Sequence, residues 1–166
     1  DIYRGDSFQV IIPNIEDVVK SALLLRLALK SEDSSFDARM SIGIGQSDNV
    51  RRDVRSSTGE AYTLSGIGLD KLKLNTFAIY TNKPEFQKSI ELLTKYLDSN
   101  ITELTQVQSR ALYEYLIAND KSHLSVANTL GKSRVNTTQI LNKAKYQLVE
   151  DYIEMFNELV SEHFNG

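Results

Sequence analysis

The chain of 166 residues carries a net charge of −3, and 41% of its residues are apolar, which is typical of a globular domain with a buried core. Cysteine is absent, so disulfides and thiolate chemistry are excluded, and the two histidines argue against a histidine-rich metal site. No stretch reaches the roughly 20 apolar residues that a membrane helix needs. We therefore expect a cytoplasmic protein without a membrane partner.

The first residues predict a β-hairpin and then a long helix. Ile2 to Arg4 and Ser7 to Ile12 favour strand, and Gly5-Asp6 between them is a turn dipeptide. Asn14 is the predicted N-cap of a helix that runs to Lys30. The apolar stripe of this helix comprises Ile15, Val18, Val19, Ala22, Leu25 and Leu29, with Leu23 and Leu27 beside it. We expect this stripe to pack on a sheet, with a dimer face as the alternative.

Two further strands follow, with a helix after each. The segment ARMSIGIGQ (38–46) alternates like a strand, and Gly43 and Gly45 on its second face indicate that a helix or a ligand approaches the backbone closely. A polar loop (46–58) ends at Ser57 and Glu60, whose spacing predicts a capping box and a helix over 59–72. LNTFAIYTN (74–82) predicts another strand, and Asn82 caps the next helix. The order β-β-α-β-α-β-α indicates a mixed fold.

From Thr105 onward the sequence predicts only helix. Thr105 caps a helix that ends near Ala118, a short helix runs from His123 to Leu130, and Gly131 ends it. Ser133 begins another. An inward pattern then continues to Phe164, as one long helix or as two with a kink; its members are Val135, Ile140, Leu141, Ala144, Leu148, Tyr152, Phe156, Leu159 and Val160. Such a stripe must be covered, so we expect the tail to dimerise or to pack against the first half.

HLSVANTLGKSRVNTTQILNKA (123–144) has the pattern of a helix-turn-helix. Ala127 is small enough for two helices to cross closely, Gly131 tolerates a left-handed turn, and Leu130 with Val135 or Ile140 closes the corner. The second helix then presents Lys132, Ser133, Arg134, Asn136, Thr137, Gln139, Asn142 and Lys143. These side chains suit base edges and phosphates of duplex DNA. The alternative is a solvated face on a plain helical hairpin.

Within that segment we expect a division of roles. Arg134, Asn136 and Thr137 follow the start of the second helix and should lie nearest the bases, whereas Lys132 and Lys143 should meet phosphates. Residues 132–145 hold four cations and no acid. The stretch LTQVQSRALYEYLIANDKSHLSVANTLGKSRVNTTQIL (104–141) resembles the helix-turn-helix of sigma-factor region 4 and related bacterial regulators. That resemblance implies that the second helix reads promoter-type DNA.

In the first half, GDSFQVII, RMSIGIG and GEAYTLSGIGLD together resemble the palm-type core of class III nucleotidyl cyclases. The resemblance implies that Asp6 is a metal ligand and that a first strand with a second metal-binding aspartate lies upstream of this chain. It also implies that an Asn and an Arg should stabilise the transition state, but Thr63 and Ile67 occupy those positions. We therefore expect no cyclase activity. Asp6 could instead bond its own turn backbone.

The whole chain is similar to the bacterial SatD family, which combines RGDSFQ, IGIG and SSTGEAY motifs with a helix-turn-helix. The predicted fold is α+β: a ferredoxin-like or palm-type sheet with helices on one face (1–99), followed by an all-α helix-turn-helix domain (102–166). Arg51, Arg52 and Arg55 either bind phosphate or belong to a solvated loop.

The predicted function is that of a DNA-binding transcriptional regulator with a degenerate cyclase-like sensory or scaffolding domain. Double-stranded DNA is the expected partner and a homodimer the expected assembly. No resident cofactor is expected, with Mg²⁺ or a nucleotide left open. The competing interpretation is a nucleotide-binding or cyclase-like enzyme whose helical domain is only an interaction module.

Overall fold

The structure, a computed structural model, describes residues 2–3, 7–49 and 58–164. The strands of the described part are β1 (Ile2–Tyr3), β2 (Ser7–Phe8), β3 (Met40–Ile44), β4 (Ser47–Asn49), β5 (Thr58–Gly59) and β6 (Phe77–Thr81). A short 3-10 helix (Ile15–Asp17), capped by Asn14, precedes the first α-helix. The α-helices are α1 (Val18–Glu32), α2 (Glu60–Lys71), α3 (Pro84–Glu103), α4 (Gln106–Ile117), α5 (His123–Leu130), α6 (Arg134–Lys143) and α7 (Tyr146–Phe164). The fold is therefore mixed α+β, with the predicted order of elements and one additional strand pair, β4 and β5.

The described strands form three separate pairs. β3 and β6 are parallel, with Ile42 opposite Ile79, whereas β1 pairs with β2 and β4 with β5 in antiparallel fashion. Ile42, Ile44, Phe77 and Ile79 are buried, so the parallel pair lies in the core. A parallel pair needs a crossover connection, and α2 supplies it. The pair thus forms a β-α-β unit with α3 directly after it.

Gly43 marks the place where α2 lies directly on β3. A Cβ atom at Gly43 would collide with the backbone of Ala61 and Ser65 on α2. Of the two causes predicted for the glycines of this strand, a packed helix is therefore the one that applies at Gly43. At Gly45 the close neighbour is the side chain of Glu60.

Two predicted helix starts need correction. α2 begins after Gly59 as N-cap, which puts Glu60 in the first helical position and not at the third position of a capping box. The Glu60 carboxylate instead accepts from the Gln46 backbone N–H at 3.2 Å and from the Asn82 side chain. Asn82 is therefore not the cap of α3; Lys83 is the N-cap, and Pro84 begins the helix.

The α1 helix buries two basic side chains, Arg26 and Lys30. The Arg26 guanidinium is fully buried and donates to the Asp37 carboxylate at 2.8 and 2.7 Å, to Asp98 at 2.8 Å and to the Thr102 hydroxyl at 3.0 Å. Lys30 donates to the backbone carbonyl of Thr102 at 3.0 Å. This cluster, which we call the Arg26 network, ties α1 to α3 and to the loop before β3.

The Arg26 network shifts the pKa of one of its acids. Burial alone would raise the pKa of Asp37, but the hydrogen bonds and positive charge of Arg26 outweigh burial and hold that pKa below its ordinary value.

The buried face of α1 is rotated relative to the apolar stripe predicted from the sequence. Leu23 and Leu27 are fully buried, whereas Leu25 is exposed.

The inward pattern near the end of the chain forms two helices. α6 ends at Lys143, and Lys145 has a left-handed backbone (φ 55°) before α7 begins. The tail packs back on α3, which is one of the two predicted outcomes. The Tyr152 hydroxyl lies 2.6 Å from that of Thr94, and the rings of Phe156 and Phe86 meet edge to face.

One buried cluster joins both halves of the chain. It includes Leu23 of α1, Ile79 of β6, Ile90 of α3, Leu112 of α4 and Phe156 of α7. The predicted domain boundary at 99–102 lies inside α3, which continues to Glu103. No linker therefore separates the two parts at that position.

Candidate nucleic-acid interface

The turn between α5 and α6 is built by local capping. The Ser122 hydroxyl accepts from the Ser125 backbone N–H and starts α5. Gly131 adopts the left-handed conformation (φ 62°, ψ 34°), which lets the Lys132 N–H bond back to the Ala127 carbonyl at 3.0 Å. Ser133 then caps α6 by accepting from the Asn136 N–H at 3.2 Å. The predicted roles of Gly131 and Ser133 are confirmed.

Both helices rest on α4, which serves as the third wall. Ala127 of α5 and Leu141 of α6 are buried, together with Leu112 and Leu116 of α4. The α4 helix itself is held by a full capping box, in which Thr105 and Gln108 bond each other's backbone N–H groups. Ala127, the small residue that the sequence predicted at the helix crossing, is buried at this junction.

His123, Tyr115 and Tyr146 form an aromatic cluster that contacts α6 through His123 and was not predicted. The Nδ1 atom of His123 lies 2.8 Å from the Thr138 hydroxyl, which links the first turn of α5 to the middle of α6. The imidazole contacts the rings of Tyr115 and Tyr146 edge to face. Burial, together with a 2.6 Å hydrogen bond to Glu150, raises the pKa of Tyr115 above its ordinary range, so this phenol stays a donor.

Seven of the eight predicted DNA contacts are exposed. These are Lys132, Ser133, Arg134, Asn136, Gln139, Asn142 and Lys143. Thr137 is the exception: its side chain is fully buried, and its hydroxyl has no hydrogen-bond partner. The prediction that Thr137 lies near the bases therefore needs correction, because Thr137, like Leu141, is buried in the core between the helices.

Val135, in contrast to Thr137, was predicted to face inward but is exposed. Either Val135 or Ile140 was predicted to close the corner of the turn with Leu130. Leu130 and Ile140 pack against the core, whereas the Val135 side chain is 69% exposed. At 100° per residue, position 135 falls about 160° from the buried Thr137 and about 120° from the buried Leu141. Gln139 and Asn142 follow at i+4 and i+7 on the same side of the helix. We call the line formed by Val135, Gln139 and Asn142 the outward stripe.

Charged side chains border the outward stripe. Lys132 precedes α6, and Lys143 is its last residue. No acidic residue occurs from Lys132 to Lys145, although the whole chain carries a net charge of −3. The exposed face of α6 is therefore locally cationic and carries amide groups along its centre. Phosphate oxygens and base edges are the partners that such groups suit.

The other predicted site residues lie elsewhere. Asp6, Arg51, Arg52 and Arg55 fall outside the described residues, so the metal and phosphate sites predicted there stay predictions. Thr63 and Ile67 lie on the exposed surface of α2. Within the described ranges, no group of three or more His, Asp or Glu side chains comes together in a way that could hold a metal ion.

A second surface feature lies where β6 ends. It is an open groove of about 630 Å³ along α3, with Thr81, Asn82, Gln87, Lys88 and Lys95 among its lining residues. Gln87 bridges the Thr81 N–H and the Ile79 carbonyl at 3.0 Å each, and Lys95 contacts Glu91. Ligands of α/β sheets commonly bind at the carboxyl ends of parallel strands, where this groove lies.

Comparison with known proteins assigns no role to either surface. No family model, curated protein or solved structure matches the chain. Among the described helices, none combines the length and the apolar character needed to cross a membrane.

Proposed function

We propose that this chain is a DNA-binding transcriptional regulator in which α5, the Gly131 turn and α6 act as a helix-turn-helix. The observation that carries the proposal is the exposed, acid-free face of α6, a helix whose opposite side is buried through Thr137 and Leu141. A solvated helix face is also polar, but four cations without an acid over 132–145 distinguish this face from one of mixed charge. Buried Arg134, Asn136 and Gln139 would have argued against the proposal, and all three are exposed.

The proposed docking follows from where α6 begins. Its N-cap, Ser133, and its first turn would enter the major groove, so that Arg134, Asn136 and Gln139 reach base edges. The partial positive charge at this helix end favours nearby phosphates. Lys132 and Lys143 would bind phosphates on either side of the groove. A homodimer would place two copies of α6 one helical turn of DNA apart, and it stays a prediction.

For the first half we propose a palm-type, cyclase-like domain that senses or scaffolds and does not catalyse. The β3-α2-β6 crossover with α3 after it is consistent with such a core. Ile67 is exposed on α2, where a cyclase would need an arginine, and an apolar side chain supplies no charge for a phosphate. We therefore expect no cyclic nucleotide product from ATP or GTP with Mg²⁺ or Mn²⁺.

Fluorescence anisotropy with a labelled random-sequence 30-base-pair duplex tests DNA binding. We expect binding at low salt that weakens steeply as salt rises. Lys143→Ala should weaken binding to all sequences and lower the salt slope by about one. Lys73→Ala removes the same charge from the loop after α2 and should leave both quantities unchanged. Absence of duplex binding at low salt would refute the proposal.

The groove at the end of β6 favours a second candidate, a nucleotide-binding protein whose helical part only contacts other proteins. Lys88 and Lys95 would face the phosphates there. Equilibrium titration with ATP and GTP separates the two candidates. Saturable nucleotide binding that Lys88→Ala weakens, combined with no duplex binding, would favour this second function.

A further inference from the structure

Val135 is the apolar member of an otherwise polar face. Its side chain is 69% exposed and lies at the start of the outward stripe, one turn before Gln139. It makes no contribution to the buried core that α6 forms through Leu141 and Ala144. Two exposed methyl groups at this position need an apolar partner outside the chain if they are to be covered.

We propose that Val135 reads thymine, by packing its methyl groups against the C5-methyl group that thymine displays in the major groove. This inference rests on the proposed function. An apolar side chain in the groove contacts the thymine methyl, and glutamine or asparagine pairs with adenine through its N6 and N7 atoms. Val135, Gln139 and Asn142 therefore all suit A·T base pairs. The ligand class is duplex DNA that presents A·T base pairs to the outward stripe of α6.

A docked protein is the competing occupant of this surface. Leu124, near the start of α5, is also 55% exposed, and a partner protein could cover it together with Val135. The surroundings of Val135 favour DNA instead, because α6 exposes amides and cations without an intervening acid. A polyanion with methyl groups on its base edges matches that mixture of side chains.

The experiment first selects preferred sites from random 30-base-pair duplexes and then replaces each thymine of the selected site, one at a time, by deoxyuridine. This replacement removes only the C5-methyl group and leaves base pairing intact. Wild-type protein should lose about fourfold in affinity at one thymine position for each bound copy of α6, the effect expected for one buried methyl group. Val135→Ala should bind the thymine site more weakly and should no longer distinguish deoxyuridine at that position.

Leu148→Ala serves as the matched control, because Leu148 is similarly exposed (63%) but lies on α7. It should keep the wild-type response to deoxyuridine, and both variants should unfold at the wild-type temperature. Duplex binding without a deoxyuridine-sensitive position, or with one that persists in Val135→Ala, would overturn the thymine inference and leave DNA binding intact. Failure to bind any duplex would overturn the proposed function itself, and the inference with it.

Discussion

Arg26→Met is predicted to destabilise the fold strongly, because Arg26 is fully buried. The substitution keeps an unbranched apolar side chain in place but removes four hydrogen bonds of the Arg26 network. Asp98 is only 4% exposed and would be left as a buried charge. Removing one partner of a buried ion pair costs about 3–5 kcal/mol, because the remaining charge is not compensated. For a chain of this length, that corresponds to a fall in unfolding temperature of roughly 6–20 °C.

Urea unfolding, followed by circular dichroism, measures this cost. The matched control is Lys95→Ala, which breaks an ion pair with Glu91 whose side chains are both about half exposed and should cost only about 0.3–0.5 kcal/mol. Adding Asp98→Asn to Arg26→Met should restore part of the loss, since the neutral amide can still accept from the Thr76 N–H. A loss below about 1 kcal/mol for Arg26→Met would contradict the assigned ion pairs, because it would mean that Asp98 and Asp37 need no partner.

Three further predictions concern stability. The pKa of Asp37 is lowered in the folded state, so the stability that its carboxylate contributes is fully present above the unfolded pKa of about 3.9 and is lost as the pH falls through the folded pKa. The urea midpoint of the wild-type protein should therefore fall below about pH 4. The midpoint of Asp37→Asn should fall less steeply over the same range. Thr137→Val replaces a buried, unpaired hydroxyl by a methyl group and should stabilise by up to about 1 kcal/mol without changing duplex affinity; a loss of stability would show that the hydroxyl has a partner. Gly131→Ala places a side chain in a left-handed turn and should cost about 1–2 kcal/mol in thermal unfolding, whereas an unchanged unfolding temperature would contradict the assigned turn.

Local capping signals could be predicted from the sequence, because they depend on neighbouring residues. Thr105, Gly131 and Ser133 act where their spacing placed them. The capping box at Glu60 failed because two tertiary partners, the Gln46 N–H and the Asn82 side chain, engage the carboxylate instead. A local pattern cannot reveal partners that the fold brings from elsewhere in the chain.

The rotational phase of the helices could not be predicted reliably. Positions 135 and 137 are about 200° apart on a helix, so α6 cannot bury both, and packing of Leu141 and Ala144 selects Thr137. The break at Lys145 then shifts the phase of α7, so that Val149 is buried and Leu148 is exposed. The burial of Arg26 was not predicted for a different reason. A charged residue within an apolar run indicates an exposed position, and the sequence pattern does not reveal that Asp98, far along the chain, pairs with it.

Sequencing of DNA that co-purifies with the protein is the sharpest test of whether α6 reads DNA. The comparison is between wild-type protein and a variant in which Arg134, Asn136 and Gln139 are all changed to alanine, which should leave the fold intact because all three side chains are exposed. Wild-type protein should enrich a shared, A·T-containing sequence over the input DNA, and the variant should lose that enrichment. Recovery of unenriched DNA, or the same enrichment with both proteins, would contradict reading of DNA by α6.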